Sequence, residues 1–134
     1  MSCRPLLVGV DLVAVDVVAR KGEADPRFLG TFLSEDELGS CPTRWDSRAG
    51  RFAAKEAAVK ALGRGLRIDL REVEVRRERG GRPVLVFHGA ARRRADELGV
   101  TSSDVSISHT EGLAVAVVGL VCAGEPLGER NADV

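Results

Sequence analysis

Residues Arg51–Leu66, R-F-A-A-K-E-A-A-V-K-A-L-G-R-G-L, decide how the rest of this chain is read. The stretch is rich in alanine, holds no proline and runs out into glycines, which predicts a helix. At about 100° per residue, Phe52, Val59 and Leu66 fall on one apolar stripe. Glu56 lies only about 40° from Phe52, against that stripe, with Lys60 one turn further on. A carboxylate held against a core is costly unless a cation meets it. On a solvated helix edge the same two residues would make a weak i,i+4 ion pair. The rest of the chain bears on which of the two applies.

Upstream, Leu6–Val10 is an uninterrupted apolar run, a candidate buried strand. Asp11 ends it, and Leu12–Arg20 continues with helical or mixed character. Asp25-Pro26 marks a turn. Ser34-x-x-Glu37 has the capping-box pattern, so a short helix begins near Ser34 and ends at Gly39. Cys41–Ala49 is a connector carrying the single tryptophan, Trp45. Downstream, V-E-V-R within Asp69–Arg77 alternates as a half-exposed strand, Gly80-Gly81 reverses the chain, and Pro83–Phe87 returns as its hairpin partner. Ala90–Leu98 reads as a basic, exposed helix closed by Gly99. Val105–Ser108 and Leu113–Val121 are strands joined by a turn at Glu111-Gly112. The order predicts a single α+β domain, with a mainly antiparallel sheet packed against the long central helix. The last strand is apolar on both faces, so it should be central or lie at a subunit interface. Residues 1–122 make up this domain, and 123–134 are polar and read as a frayed tail.

With 134 residues the chain has room for one core. Its 20 basic and 20 acidic side chains balance to zero, and tyrosine is absent. No overall field or stacking platform therefore argues for nucleic acid. Cys3, Cys41 and Cys122 are odd in number and widely spaced, without a CxxC pair, which points to a reduced, cytoplasmic setting. Leu6–Val10 is too short for a membrane span and lacks a cleavage site, so neither a membrane nor a secretory route is expected.

Chemistry collects at four places. Asp11 lies inside L-L-V-G-V-D-L-V-A-V, the most apolar segment. It reads either as a helix N-cap or as a ligand. Gly9, two residues earlier, leaves room for a ligand or another backbone. Asp11 and Glu56 together suggest a shared hard cation, and Mg²⁺ suits them because it takes one or two protein carboxylates plus substrate phosphate. In V-S-I-S-H-T, Val105–Thr110, His109 follows an alternating strand at its exit, either as a surface residue or as part of a site. A Ser108–His109 nucleophile pair is rejected because neighbours on a strand point apart. No Cys/His cluster suggests zinc. Arg51, Lys55, Lys60 and Arg64, with Arg82 at the hairpin, form either a solvated basic face or separated contacts for a substrate with several phosphates. No glycine-rich phosphate cradle is present, and Gly63 and Gly65 read as helix-ending residues.

V-G-V-D at Val8–Asp11, F-A-A-K-E-A-A-V-K at Phe52–Lys60 and V-S-I-S-H-T at Val105–Thr110 resemble the holo-[acyl-carrier-protein] synthases, the small class of 4′-phosphopantetheinyl transferases. L-S-E-D-E-L and G-G-R-P extend the resemblance over nearly the whole chain. It implies an enzyme that moves the phosphopantetheine arm of coenzyme A onto a serine of an apo acyl carrier protein, in a fatty-acid or polyketide pathway, and releases 3′,5′-ADP. It also implies Asp11 and Glu56 as Mg²⁺ ligands and Lys60 as the residue meeting the reacting phosphate. Arg51, Gly63, Gly81, Arg82, Pro83, His109 and Thr110 are implied as coenzyme A contacts. The base for the carrier serine is Glu56 or a water on the metal; both stay open. One copy of each motif implies a half-site protein, a homotrimer with active sites at its interfaces. The larger class carries a third acid where this chain has Val13, a place for water.

One departure stands out. The family's first helix has an acid three positions after the aspartate and an arginine six after it, and here these are Ala14 and Val17, with Asp16 between. Since that arginine meets an acidic helix of the carrier, carrier recognition should differ, with Arg20, Lys21 and Arg27 as electrostatic substitutes. Two other readings stand beside the transferase. One is a non-catalytic homologue that binds coenzyme A or a carrier as an assembly subunit. The other is a different metal-dependent phosphotransfer enzyme or phosphohydrolase, which would leave G-R-P and S-I-S-H-T unexplained.

Overall fold

The structure, a computed structural model, describes residues 5–63 and 67–123. In chain order it runs β1 (Leu6–Ala14), α1 (Val15–Ala24), a 3-10 turn at Pro26–Thr31, α2 (Glu35–Ser40) and α3 (Trp45–Leu62). A second 3-10 turn at Leu70–Glu72 leads to β2 (Val73–Arg77), β3 (Pro83–Phe87), α4 (Gly89–Leu98), β4 (Val100–Thr110) and β5 (Leu113–Cys122). The strands form an antiparallel sheet in the order β1-β5-β4 and a separate β2-β3 hairpin. This is the expected α+β arrangement. Among the described residues no helix is long and apolar enough to cross a membrane. Leu66, Arg64 and Cys3, and the tail beyond Ala123, lie outside the described residues.

β1 differs from its sequence reading. It does not end at Asp11: pairing with β5 continues through Leu12–Val115 and Val13–Ala114 to Ala14–Leu113, so Asp11 sits mid-strand opposite Ala116. A carboxylate does not stop a strand whose backbone partners are all in place. The N-cap alternative fails as well, because α1 is preceded by Ala14 and no side chain caps it. Nor is the strand buried on both faces. Leu6, Val8, Val10 and Leu12 are exposed on an outer face, whereas Gly9 and Asp11 point inward. β5 is central, as its two apolar faces predict, and its outer residues Leu113, Val117 and Val121 extend the same exposed apolar surface.

α3 starts at Trp45, six residues before the expected Arg51. No side chain caps it, which removes the usual sequence signal of a helix start. The Phe52–Val59 stripe is only half-buried; Ala53, Ala54, Ala57, Ala58 and Ala61 form the buried face. Small side chains let the helix lie close on the sheet. A Cβ on Gly9 would come 1.9 Å from the Ala57 carbonyl oxygen, and one on Gly50 would come 2.8 Å from Ile107. α3 therefore crosses from β4 near Gly50 to β1 near Ala57, and the room that Gly9 leaves is taken by backbone.

The capping box at Ser34 forms as read, with Ser34 and Glu37 bonded reciprocally. Glu37 also does something the pattern does not announce. It is 2% exposed and accepts a hydrogen bond at 2.7 Å from Lys55, which is fully buried. The basic face proposed for the central helix is thus interrupted: Lys55 is a core residue. The Gly80-Gly81 hairpin and the helix closed by Gly99 form where the sequence places them, each of these glycines at positive φ.

Candidate active site

β1 and α3 bring Asp11, Glu56 and Lys60 together. The Gly9–Ala57 contact sets the crossing, Asp11 follows two residues along the inner face of the strand, and Glu56 and Lys60 share one side of the helix. Lys60 Nζ donates to Asp11 Oδ1 at 3.0 Å and to the Val10 carbonyl at 3.1 Å. Glu56 is half-buried, and burial raises its carboxyl above the ordinary glutamate value. The nearby Asp11 charge pushes in the same direction, and Lys60 opposes both. Two carboxylates against one ammonium leave a net negative charge in a partly desolvated place. That donor set fits a hard divalent cation with open positions for other oxygen ligands. Val13 on the inner face packs against the core rather than facing this group.

A second group lines a cleft of about 600 Å³ where the β2–β3 hairpin meets β4. The cleft wraps the edge of β4: Arg82 and Pro83 from the hairpin line it together with Asp104 and His109, from opposite faces of β4, and Asp46 from the start of α3. Gly80 and Gly81, both left-handed, turn the chain so that Arg82 can reach Asp104 with two contacts of 2.8 and 3.0 Å. The Arg82 guanidinium holds the Asp104 carboxyl below its usual value. His109 Nδ1 lies 3.7 Å from Asp46, whose carboxyl is lowered by its bond to Arg44. Ser108 and His109 pair with Val115 and Ala114 and so face opposite sides of the sheet. Sequence reasoning passed over Asp46, Arg77 and Asp104. The period of β4 carried a signal for Asp104, which shares a face with Ser106 and Ser108.

The remaining expected contacts fall elsewhere. Arg51 is buried, donates to the Val75 carbonyl at 2.9 Å and keeps a buried Nε without a protein partner among the described residues. Gly63 closes α3 at φ 125°, and Thr110 is exposed at the end of β4. Asp46 and Glu56 are ten residues apart on α3, about 15 Å. None of Asp11, Glu56 and Lys60 lines the cleft that holds Arg82 and His109.

The model of the 4′-phosphopantetheinyl transferase superfamily matches residues 7–118. A holo-[acyl-carrier-protein] synthase of Moorella thermoacetica is 41% identical over 116 residues, covering 84% of this chain and 91% of that protein. One of Desulfovibrio desulfuricans is 46% identical over 115 residues, covering 83% and 93%. Among solved structures, the Helicobacter pylori holo-[acyl-carrier-protein] synthase in complex with coenzyme A superposes with a TM-score of 0.76 at 29% identity, covering 85% of this chain and 99% of that one.

Proposed function

The chain belongs to the 4′-phosphopantetheinyl transferase superfamily, and from that premise we propose that it transfers the phosphopantetheine arm of coenzyme A to a serine of an apo acyl carrier protein and releases 3′,5′-ADP. The observation that carries this reading is the convergence of Asp11, Glu56 and Lys60, two acids and one cation from distant parts of the chain. The relatives' names and the bound coenzyme A in the Helicobacter pylori structure supply the substrate class.

Asp11 and Glu56 would hold Mg²⁺. When bound, the ion supplies countercharge for the coenzyme A diphosphate. The chain's own residues then have definite tasks. The carrier serine oxygen forms the new bond to the phosphorus bearing pantetheine, and the bridging P–O bond breaks. Lys60, 55% exposed and already donating at this position, turns its ammonium to the bridging oxygen and stabilises the charge that grows there. Glu56, half-buried beside Asp11, is the carboxylate of this chain placed to accept the serine proton. Arg82 and His109, which line the cleft, are suited to the adenosine 3′-phosphate, whereas Arg51 is buried against the Val75 carbonyl and does not line it. The two groups of residues lie far apart in one chain, and the outer sheet face is apolar and exposed. A homotrimer that brings the cleft of one copy to the acids of another accounts for both.

Carrier recognition follows the departure at Ala14 and Val17. On α1 Arg20 pairs with Asp16 and Lys21 lies over the ring of Phe28, and in the 3-10 turn that follows Arg27 pairs with Asp25. The substitutes for the missing arginine thus each have an exposed partner within the chain, and none of them stands at position 17. The carrier served here docks with little electrostatic steering, as one from a dedicated pathway would.

The test is a mass spectrum of an apo carrier incubated with the protein, coenzyme A and Mg²⁺. The expected result is a gain of one phosphopantetheine, absent with Glu56→Gln. An unmodified carrier across several carrier types would overturn the reading.

A further inference from the structure

The buried face of α3 is nearly all methyl groups: Ala53, Ala54, Ala57, Ala58 and Ala61, with Leu62 at its end. Such a face allows close approach, but its ridges are shallow and do little to fix the roll of the helix about its axis. Roll matters here. Turning α3 by about 20° carries a side-chain tip at a radius of about 5–6 Å through about 2 Å. That exceeds the roughly 0.5 Å within which a reacting group must be held.

Near the start of α3 the roll is limited by Gly50 under Ile107 and by the bond from Arg51 to the Val75 carbonyl; beside Glu56 two further contacts can fix it. Gly9 under Ala57 sets the distance to β1. The other is Lys55, the residue before Glu56 and about 100° around the helix from it. Its ammonium donates to Glu37 Oε1 at 2.7 Å, to the Leu70 carbonyl at 3.1 Å and to the Val73 carbonyl. Three donors meet three acceptors, which is all an ammonium can use. Glu37 is itself held by the backbone N–H groups of Ser34 and Val75, each at 3.0 Å. The lysine is thereby tied to α2, the Leu70–Glu72 turn and β2, none of which belongs to the sheet that carries Asp11.

We infer that the buried Lys55–Glu37 pair is a positioning element that sets the roll of α3 and so aims Glu56 and Lys60 at Asp11. An apolar pair would fill the same space without this directional demand, and buried ion pairs are often no more stabilising than such a replacement. Registry is what the charges add. The effect expected on catalysis rests on the transferase reading above; the effect on geometry does not.

The test is a crystal structure of the double variant Glu37→Gln with Lys55→Met, together with its transfer kinetics. A folded protein is expected in which the Lys60–Asp11 contact has opened beyond about 4 Å. Its kcat should be about ten- to a hundredfold lower, with a melting temperature close to wild type. An unmoved α3 overturns the inference whatever the activity. A moved α3 with unchanged transfer upholds the positioning role and counts against the assignment of Glu56 and Lys60 instead. Should the double variant fail to fold, Glu37→Asp keeps the charges but draws the ammonium toward α2 by one methylene. The same opened contact is expected there, and a native 3.0 Å contact overturns the inference.

Discussion

Lys55 and Lys60 project from the same helix and each meets a carboxylate from another element, yet their surroundings could hardly differ more. The Lys55–Glu37 pair has side chains 0% and 2% exposed, and every donor is matched. The Lys60–Asp11 pair is 55% and 16% exposed, and a second acid, Glu56, stands beside it with no hydrogen-bond partner of its own among the described residues. A neutral, saturated network has nothing left to bind and can only hold elements in place. An unbalanced, half-open one with excess negative charge attracts cations. Completeness of pairing, rather than the presence of charge, separates the structural lysine from the one suited to chemistry.

This contrast can be broken or sharpened by substitution. Lys55→Met alone should have the largest effect, since it leaves Glu37 charged and buried without its partner: a loss of about 3–5 kcal/mol in chemical denaturation. If it cost no more than a surface lysine, the contrast would fail. Glu56→Gln should leave the fold intact and reduce kcat about 10²–10³-fold, worth about 2.7–4 kcal/mol in the transition state, measured as carrier mass gain over time. Gly9→Ala forces a methyl against the Ala57 carbonyl and should cost about 1–3 kcal/mol, with transfer reduced beyond the loss of folded protein.

The pH dependence of stability offers a finer test. Burial and Asp11 raise the Glu56 carboxyl in the folded state. Its contribution therefore favours folding fully below the ordinary glutamate value and is lost as pH rises through the raised one. Metal-free Glu56→Gln should accordingly melt higher than wild type near neutral pH, and the gap should close as the pH falls below the ordinary glutamate range. A gap of constant size would show that Glu56 carries no such strain. The smallest effect is expected at Val17→Arg, which adds one exposed charge worth at most about 1 kcal/mol. It should raise kcat/KM for an acidic fatty-acid carrier by a few-fold and make that rate salt-sensitive. Equal rates at low and high salt for both proteins would remove the case for an unusual carrier.

Local patterns carried much of this molecule. The Ser34 capping box, the Gly80-Gly81 hairpin, the Gly99 helix end and the central place of β5 follow from short-range sterics and from alternation of apolar residues. Those forces act between neighbours, so the residues themselves specify them. Asp11 and Glu56 were also legible, because each was a charge out of keeping with its apolar surroundings, whereas Lys60 read as the i,i+4 partner of Glu56 on a basic helix face. What only the tertiary structure decided were the partners. Lys55 reads like any lysine of a basic helix face until α2 and β2 close over it, and Asp11 looks like a strand end until β5 pairs past it. Arg82 and His109 fall in a cleft apart from the acids because the crossing of α3 over the sheet separates them. Whether a charge is solvated, paired or left poised depends on groups tens of residues away, and no local rule contains that distance.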